Sequence, residues 1–337
     1  MYGVSLTVFT NICALFSFLP RSFYYDTITS MKTTLTYQIN QNGAGKSIAE
    51  FLSDEGYSRR LIVTLRNTPE SFFIGESCVF SNYRLAEHDR LTVHLTEKKG
   101  SESIIPVPME LSILYEDEHL MVINKAAGMP VHPSQGNYGN TLANGIAWYM
   151  EQKQTEFVFR AVNRLDRDTS GLLLIAKNML SSCILSDQVK EHAIHREYLA
   201  IVSGKTDPFG TVDVPIARKD GSTIERIPEP ELGESAVTHY QTIDYNKNTD
   251  LSFLRLRLET GRTHQIRVHM KYIGHPLPGD FLYHPDYQYI NRQALHSAYL
   301  RFTHPVTKEI LEFTAPLPED MKYLFPTAYE VLWDSDF

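Results

Sequence analysis

Apolar positions recur with two periods along the chain, and the switches between them mark the elements. In MKTTLTYQIN (31–40) and LTVHL (91–95) apolar and polar residues alternate, as in a strand buried on one face. Between them, Ser47-Ile-Ala-Glu50 is a capping box opening a short helix that Gly56 closes. Ser58 starts a second helix, SRRLIVTLRN, with Leu61 and Leu65 on one face and Arg59 and Arg66 on another. SFFIGE reads as a further short strand. EKKGSESIIPVP (97–108) is charged, then Gly/Ser- and Pro-bearing, and predicts a linker. Beyond it, LMVINK and LLLIAKN read as buried strands and TLANGIAWYMEQ as a helix. REYLAIVSG, AVTHYQTIDY and LSFLRLRLET read as strands. In the last, Leu254, Leu256 and Leu258 fall on one face, Arg255 and Arg257 on the other. THQIRVHMKYIG has helical spacing, with Ile266, Met270 and Ile273 inward and His264, Arg267 and Lys271 on another face. Many antiparallel-looking strands without a repeat predict an α+β fold rather than a doubly wound sheet.

Length adds a domain count. The 337 residues allow two domains: a small α+β unit at 31–96, the linker, and a larger domain at 109–337. Residues 1–30 are apolar but carry no basic n-region before Arg21 and are short for a membrane span. They read as an upstream extension or a disordered tail, with a normal start at Met31. Cysteines 13, 78 and 183 are far apart, which fits a reducing, cytoplasmic compartment and no disulfide scaffold.

Taken whole, the charge argues against a protein that coats nucleic acid, because the formal net charge is -8. Its distribution reopens the case. Residues 255–271 hold Arg255, Arg257, Arg262, Arg267 and Lys271 against Glu259 alone. Residues 316–337 hold Glu319, Asp320, Glu330, Asp334 and Asp336 against Lys322 alone. A bulk RNA coater is excluded; a narrow basic cleft is not.

Two tempting motifs fail. NGAGKS (42–47) imitates a phosphate loop, but the pattern needs glycine where Asn40 stands, and no buried strand precedes it. His264 and His269 are five apart, which suits neither a metal-binding helix face nor a strand face.

The segment FRAVNRLDRDTSGLLLIAK (159–177) runs from an Arg/Asp-dense loop into an apolar strand, where catalytic groups are commonly held. Its composition alone fits a salt-bridged turn better. Spelled out, NRLDRDTSGLLLIAKN resembles the central motif of the RluA/RluD-type RNA pseudouridine synthases. REYLAIVSG, ETGRTHQIRVHMKYIGHPLPGD and LHSAYLRFTHPVTKEILEFTAPLPEDM resemble the later motifs, in order, so that the likeness covers about 110 to 322. One departure is Asn163, where the family usually has His. The unit at 31–96 resembles, more weakly, the S-four-type RNA-binding domain that precedes this catalytic domain in many members. The family's glycine-rich turn is replaced there by NTPESFFIGES.

The resemblance implies a pseudouridine synthase fold, with a mixed, mainly antiparallel sheet and flanking helices. It implies isomerisation of specific uridines in RNA without cofactor or metal, by glycosidic cleavage, base rotation and carbon–carbon bond formation. Asp166 would be the catalytic carboxylate, Arg267 its partner and Tyr198 the residue stacked on the base. Arg164, Leu295, Arg262 and His264 would line the substrate site, and Arg59, Arg60 and Arg66 would grip RNA from the small domain. Asp168 is expected to be a structural loop residue. The expected partner is ribosomal RNA ahead of transfer RNA, bound by a monomer away from membranes. The rival readings are an RNA-binding protein that no longer turns over and a glycoside hydrolase.

Overall fold

The computed structural model describes residues 31–97 and 104–326. The expected N-terminal extension, residues 98–103 of the linker and the acidic end at 327–337 lie outside those residues.

The first sheet is built from β1 (Met31–Gln38), β2 (Phe72–Ile74), β3 (Ser77–Cys78) and β4 (Arg90–Glu97), in the order β1-β4-β2-β3. In β4, Leu91, Val93 and Leu95 are buried, as their alternation requires. They pack with Leu61 and Leu65 against helices α1 (Ile48–Asp54) and α2 (Arg59–Arg66). Both arms of the Ser47/Glu50 capping box are formed, and NGAGKS is the turn that leads into it. Arg59, Arg60 and Arg66 are exposed on α2, with half-exposed Val63 between them.

The larger sheet has nine strands. They are β5 (Ser112–Glu116), β6 (Leu120–Lys125), β7 (Ser170–Ala176), β8 (His195–Ser203), β9 (Phe209–Asp213), β12 (Val237–Asn246), β13 (Leu251–Leu258), β14 (Leu295–Thr303) and β15 (Ile310–Thr314). A hairpin of β10 (Ile216–Arg218) and β11 (Arg226–Pro228) stands apart. The order is β5-β6-β7-β14-β8-β13-β12-β9, with β15 on β14. β7 and β14 run parallel, and the other pairings are antiparallel. At this parallel junction Gly171 has φ 108°, and a Cβ there would lie 2.1 Å from the Ser297 carbonyl oxygen. Only glycine lets the two strands meet so closely.

Apolar clusters cover both faces of the sheet. One joins it to α3 (Leu142–Gln152) and α5 (Gln265–Tyr272). Others lie on α4 (Met179–Lys190) and α6 (Glu319–Lys322). This double cover encloses two basic residues. Arg255 does not face an open side of β13: it is 5% exposed and ion-paired with Glu197 of β8. Arg267 does not lie on a polar outer face of α5, which is buried along Gln265–Met270. No helix among the described residues is long and apolar enough to cross a membrane.

The segment after the undescribed linker residues is fastened to α3. Asn144 donates from Nδ2 to the Ile105 carbonyl, and Met109 lies across Gly145, where any Cβ would collide with it. The two sheets also meet through α4. Leu180 completes the core of the small unit, and the Cys183 thiol donates to the Gly56 carbonyl. Glu97, the last residue of β4 and 3% exposed, pairs with Arg160 and accepts from the Met179 amide at the start of α4.

Removing one partner of a buried pair leaves the other uncompensated, so Glu97→Ala should lower the unfolding free energy by about 3 kcal/mol, read from urea denaturation. A second prediction concerns pH. His296 of β14 is fully buried, with Nδ1 toward the Ser170 hydroxyl and Nε2 toward the Ala315 carbonyl. Burial brings it down from an ordinary 6.5 to about 4. Between these values the unfolded chain binds more protons than the folded one, so stability should rise with pH from about 4 to about 6.5 and then level. His296→Asn should flatten that rise in unfolding measured across the same range.

Candidate active site

The site forms where the turn before β7 faces the start of α5. Residues 160–162 continue a ladder against the end of β7, through the Val162 amide to the Leu174 carbonyl and the Ala176 amide to the Arg160 carbonyl. Asn163 extends that ladder with its side chain: Oδ1 accepts from the Leu174 amide at 2.8 Å and Nδ2 donates to the Leu172 carbonyl. The departure from the family's usual His thus serves backbone pairing. The chain then turns at Asp166–Thr169, closed by a bond from the Thr169 amide to the Asp166 carbonyl.

Three side chains clamp this turn. Lys125 is 1% exposed and donates from Nζ to the carbonyls of Ala126, Met129 and Arg167. Burial brings its ammonium down to about 7, opposed by the charges of Asp168 and Asp166. Arg292 donates to the Asp168 carbonyl, and Gln293 donates from Nε2 to the Thr169 hydroxyl. The Asp168 carboxylate turns away and takes two bonds from Arg167.

Opposite stands Arg267 of α5, 1% exposed. Its Nη1 donates to Asp166 Oδ2 at 2.7 Å, while Nε and Nη2 grip the two oxygens of Asp280, each at 2.7 Å. Asp280 is itself fixed by the amides of Leu282 and Tyr283. Burial disfavours the Arg267 charge, but the bonds to Asp280 and the charge of Asp166 outweigh it and hold the guanidinium up. The Tyr283 ring lies 4.9 Å from that guanidinium. Its hydroxyl bonds His264 Nδ1 at 2.9 Å. His264 sits with Nε2 3.8 Å from Asp166 Oδ2 and has φ 59°, left-handed backbone of the kind found where a site over-determines the chain. Burial holds its imidazole below the usual histidine range, against the charge of Asp166.

Asp166, Tyr198, Arg164, Arg262, His264, Arg267 and Leu295 line one cavity. Every residue expected at the substrate site from the sequence thus comes together, from four separate stretches of chain. Tyr198 of β8 is buried, and burial pushes its phenol up, against the Arg196 charge and a hydrogen bond with Ser297. Arg164 and Arg262 are exposed at the rim, the latter ion-paired with Glu234. Arg59, Arg60 and Arg66 lie on α2 of the small unit and do not line this cavity.

Asp280, Lys125, Arg292 and Gln293 were not singled out in the sequence. Asp280 had a signal, as the one carboxylate of HPLPGD in an otherwise apolar and basic motif. His269, weighed as a metal ligand, is buried, with Nδ1 on the Thr238 hydroxyl and Nε2 on the Val214 carbonyl.

The comparisons with known proteins show the family. The family described as RNA pseudouridylate synthase matches residues 119–272. The uncharacterized RNA pseudouridine synthase YjbO of Bacillus subtilis (strain 168) is 43% identical over 279 residues, 82% of this chain and 98% of its own. The ribosomal large subunit pseudouridine synthase D of Zymomonas mobilis is 45% identical over 237 residues, 65% of this chain and 73% of its own. Among solved structures, human RNA pseudouridylate synthase domain containing 1 superposes with TM-score 0.52 at 27% identity, over 61% of this chain and 83% of its own. The chain belongs to the RNA pseudouridine synthase family. It is an enzyme, and it isomerises uridine to pseudouridine in RNA.

The role of Asp280 can be separated from that of Asp166. Asp280→Asn keeps shape but loosens Arg267, and a displacement of about 1 Å at a reacting centre costs roughly 100-fold. Pseudouridine formation should fall by about that factor, while circular dichroism of the folded protein stays unchanged.

Proposed function

We propose that Asp166 is the catalytic carboxylate, acting on a uridine of ribosomal RNA that is turned out of its stack into the cavity. The observation that carries this reading is the buried chain Asp166–Arg267–Asp280 at the wall shared with Tyr198 and Leu295. Arg267 takes Asp166 Oδ2, and Oδ1 accepts no hydrogen bond from the described residues. A carboxylate can detach the base by attack at the anomeric carbon or by removing a neighbouring sugar proton, and either route uses that remaining oxygen. The reaction is an isomerisation, so a second, water-activating carboxylate is not needed. Asp168, spent on Arg167, is not in position to be one.

A uridine in a helix is out of reach, so the base must be flipped. Tyr198 then offers its ring to the uracil, and Leu295 closes the other wall. Arg164, exposed at the rim, fills the place the base leaves. Arg262 and His264 hold the nucleotide's polar groups. Ribosomal RNA is favoured because a relative of this chain bears the name ribosomal large subunit pseudouridine synthase D. The small unit grips that RNA through the exposed Arg59 and Arg66, seven apart on one face of α2, with Arg60 beside them.

The test is Asp166→Asn. Carbodiimide mapping of RNA from a gene-deleted strain, treated with the purified protein, should show one or a few pseudouridines restored by the wild type and none by the variant. RNA binding by the variant should survive in a filter assay. Full turnover by Asp166→Asn would end the assignment.

A further inference from the structure

The cavity at Asp166 has a volume of about 60 Å³, but beside it lies a groove of about 470 Å³. The two share Arg164, Tyr198, Leu258 and Arg262 as walls. A base can be aimed into the smaller space; the backbone that carries it needs the larger one. The groove is lined by Asn163, Arg164, Lys190, His192, Arg196 and Arg262, on a chain whose net charge is -8. Its one carboxylate, Glu259, is already held by His239.

Arg196 sets this groove apart. It lies two residues before Tyr198 on β8, so strand alternation turns both toward the same face. Its guanidinium rests against the chain at Gly261, where a Cβ would meet both terminal nitrogens at 3.4 Å. Its Nε is buried and has no hydrogen-bond partner, and no carboxylate among the described residues lies within ion-pair distance of it. Leaving a charged donor buried and unpaired is costly, and an anion in the groove would satisfy it. Arg164, across the groove, also has no carboxylate partner among the described residues.

We propose that this groove is a phosphate-binding subsite, with Arg196 its central ligand, that seats the RNA backbone adjoining the target uridine. The proposal rests on the reading of the Asp166 cavity as the seat of that uridine. Arg196 touches no reacting atom; it holds the strand from which the base is turned, and so it should act on binding and not on turnover. Losing one charge-assisted bond to a phosphate weakens binding about ten-fold. It also flattens the salt dependence by about 0.7 in logarithmic slope for a single strand.

The experiment compares the full-length wild type with Arg196→Ala on an in vitro transcript of the mapped target segment. Arg196→Ala should raise KM about ten-fold. Its kcat should stay within about two-fold of the wild type and its slope of log KM against log salt should be shallower. Arg196→Lys should recover part of the KM, because it keeps the charge. Arg196→Gln, which keeps length and packing, should repeat the Ala result and excludes a packing effect. An unchanged KM and salt slope, or a loss confined to kcat, would overturn the subsite. A wild type that restores no pseudouridine anywhere would instead overturn the reading of the Asp166 cavity, so the two failures are distinct.

Discussion

One buried cation holds the candidate active site together. Arg267 has two carboxylates to satisfy it, and each comes from a different loop: Asp166 from the turn before β7, Asp280 from the turn after α5. A guanidinium can do this because its planar fork offers separate edges, two bonds to one carboxylate and a third to the other. A lysine at the same place would supply charge without the geometry. The price of burying Arg267 is met by Asp280, which is as deeply buried and takes amide bonds of its own. What remains is directed at Asp166, the only member of the three with solvent access. The rigid part of the network thus lies behind the accessible carboxylate, and the open part in front of it.

Much of this was legible in the sequence, and the reasons differ from residue to residue. Ser47/Glu50 and Ser58 named their helices because a cap is a local bond between near neighbours. Asp166, Tyr198 and Arg267 could be placed together because their motifs stand in order, and they line one cavity. Arg255 was counted toward the basic cleft because alternation tells which side a residue faces, not whether that side is covered. On β13 both sides are, and the charge needed Glu197, 58 residues away. The same blindness applied to the clamps on the Asp166 turn. Arg292 and Gln293 reach across 124 residues to Asp168 and Thr169, a separation no local pattern encodes. Helix α4 escaped because its polar and apolar residues are nearly mixed around the axis. It packs on two partners, the large sheet on one flank and the small unit's core on another.

The acidity of the chain and its basic cleft are reconciled by where charges are spent. Basic residues inside the fold, such as Arg255 and Arg267, are matched by carboxylates and add little to the outer field. Those at the cleft rim, such as Arg164 and Arg196, are not so matched among the described residues. Repulsion by the acidic surface elsewhere and attraction at one opening work together, disfavouring loose contact with RNA over the rest of the molecule.

The contact through α4 bears on how such enzymes come to differ. Leu180 belongs by sequence to the catalytic half but by packing to the small unit, and Glu97 does the reverse by reaching the first residue of α4. The small unit is therefore not a bead that can be exchanged at will. A lineage that replaced it would also have to rewrite one flank of α4, so the two halves are bound to drift together rather than be shuffled apart.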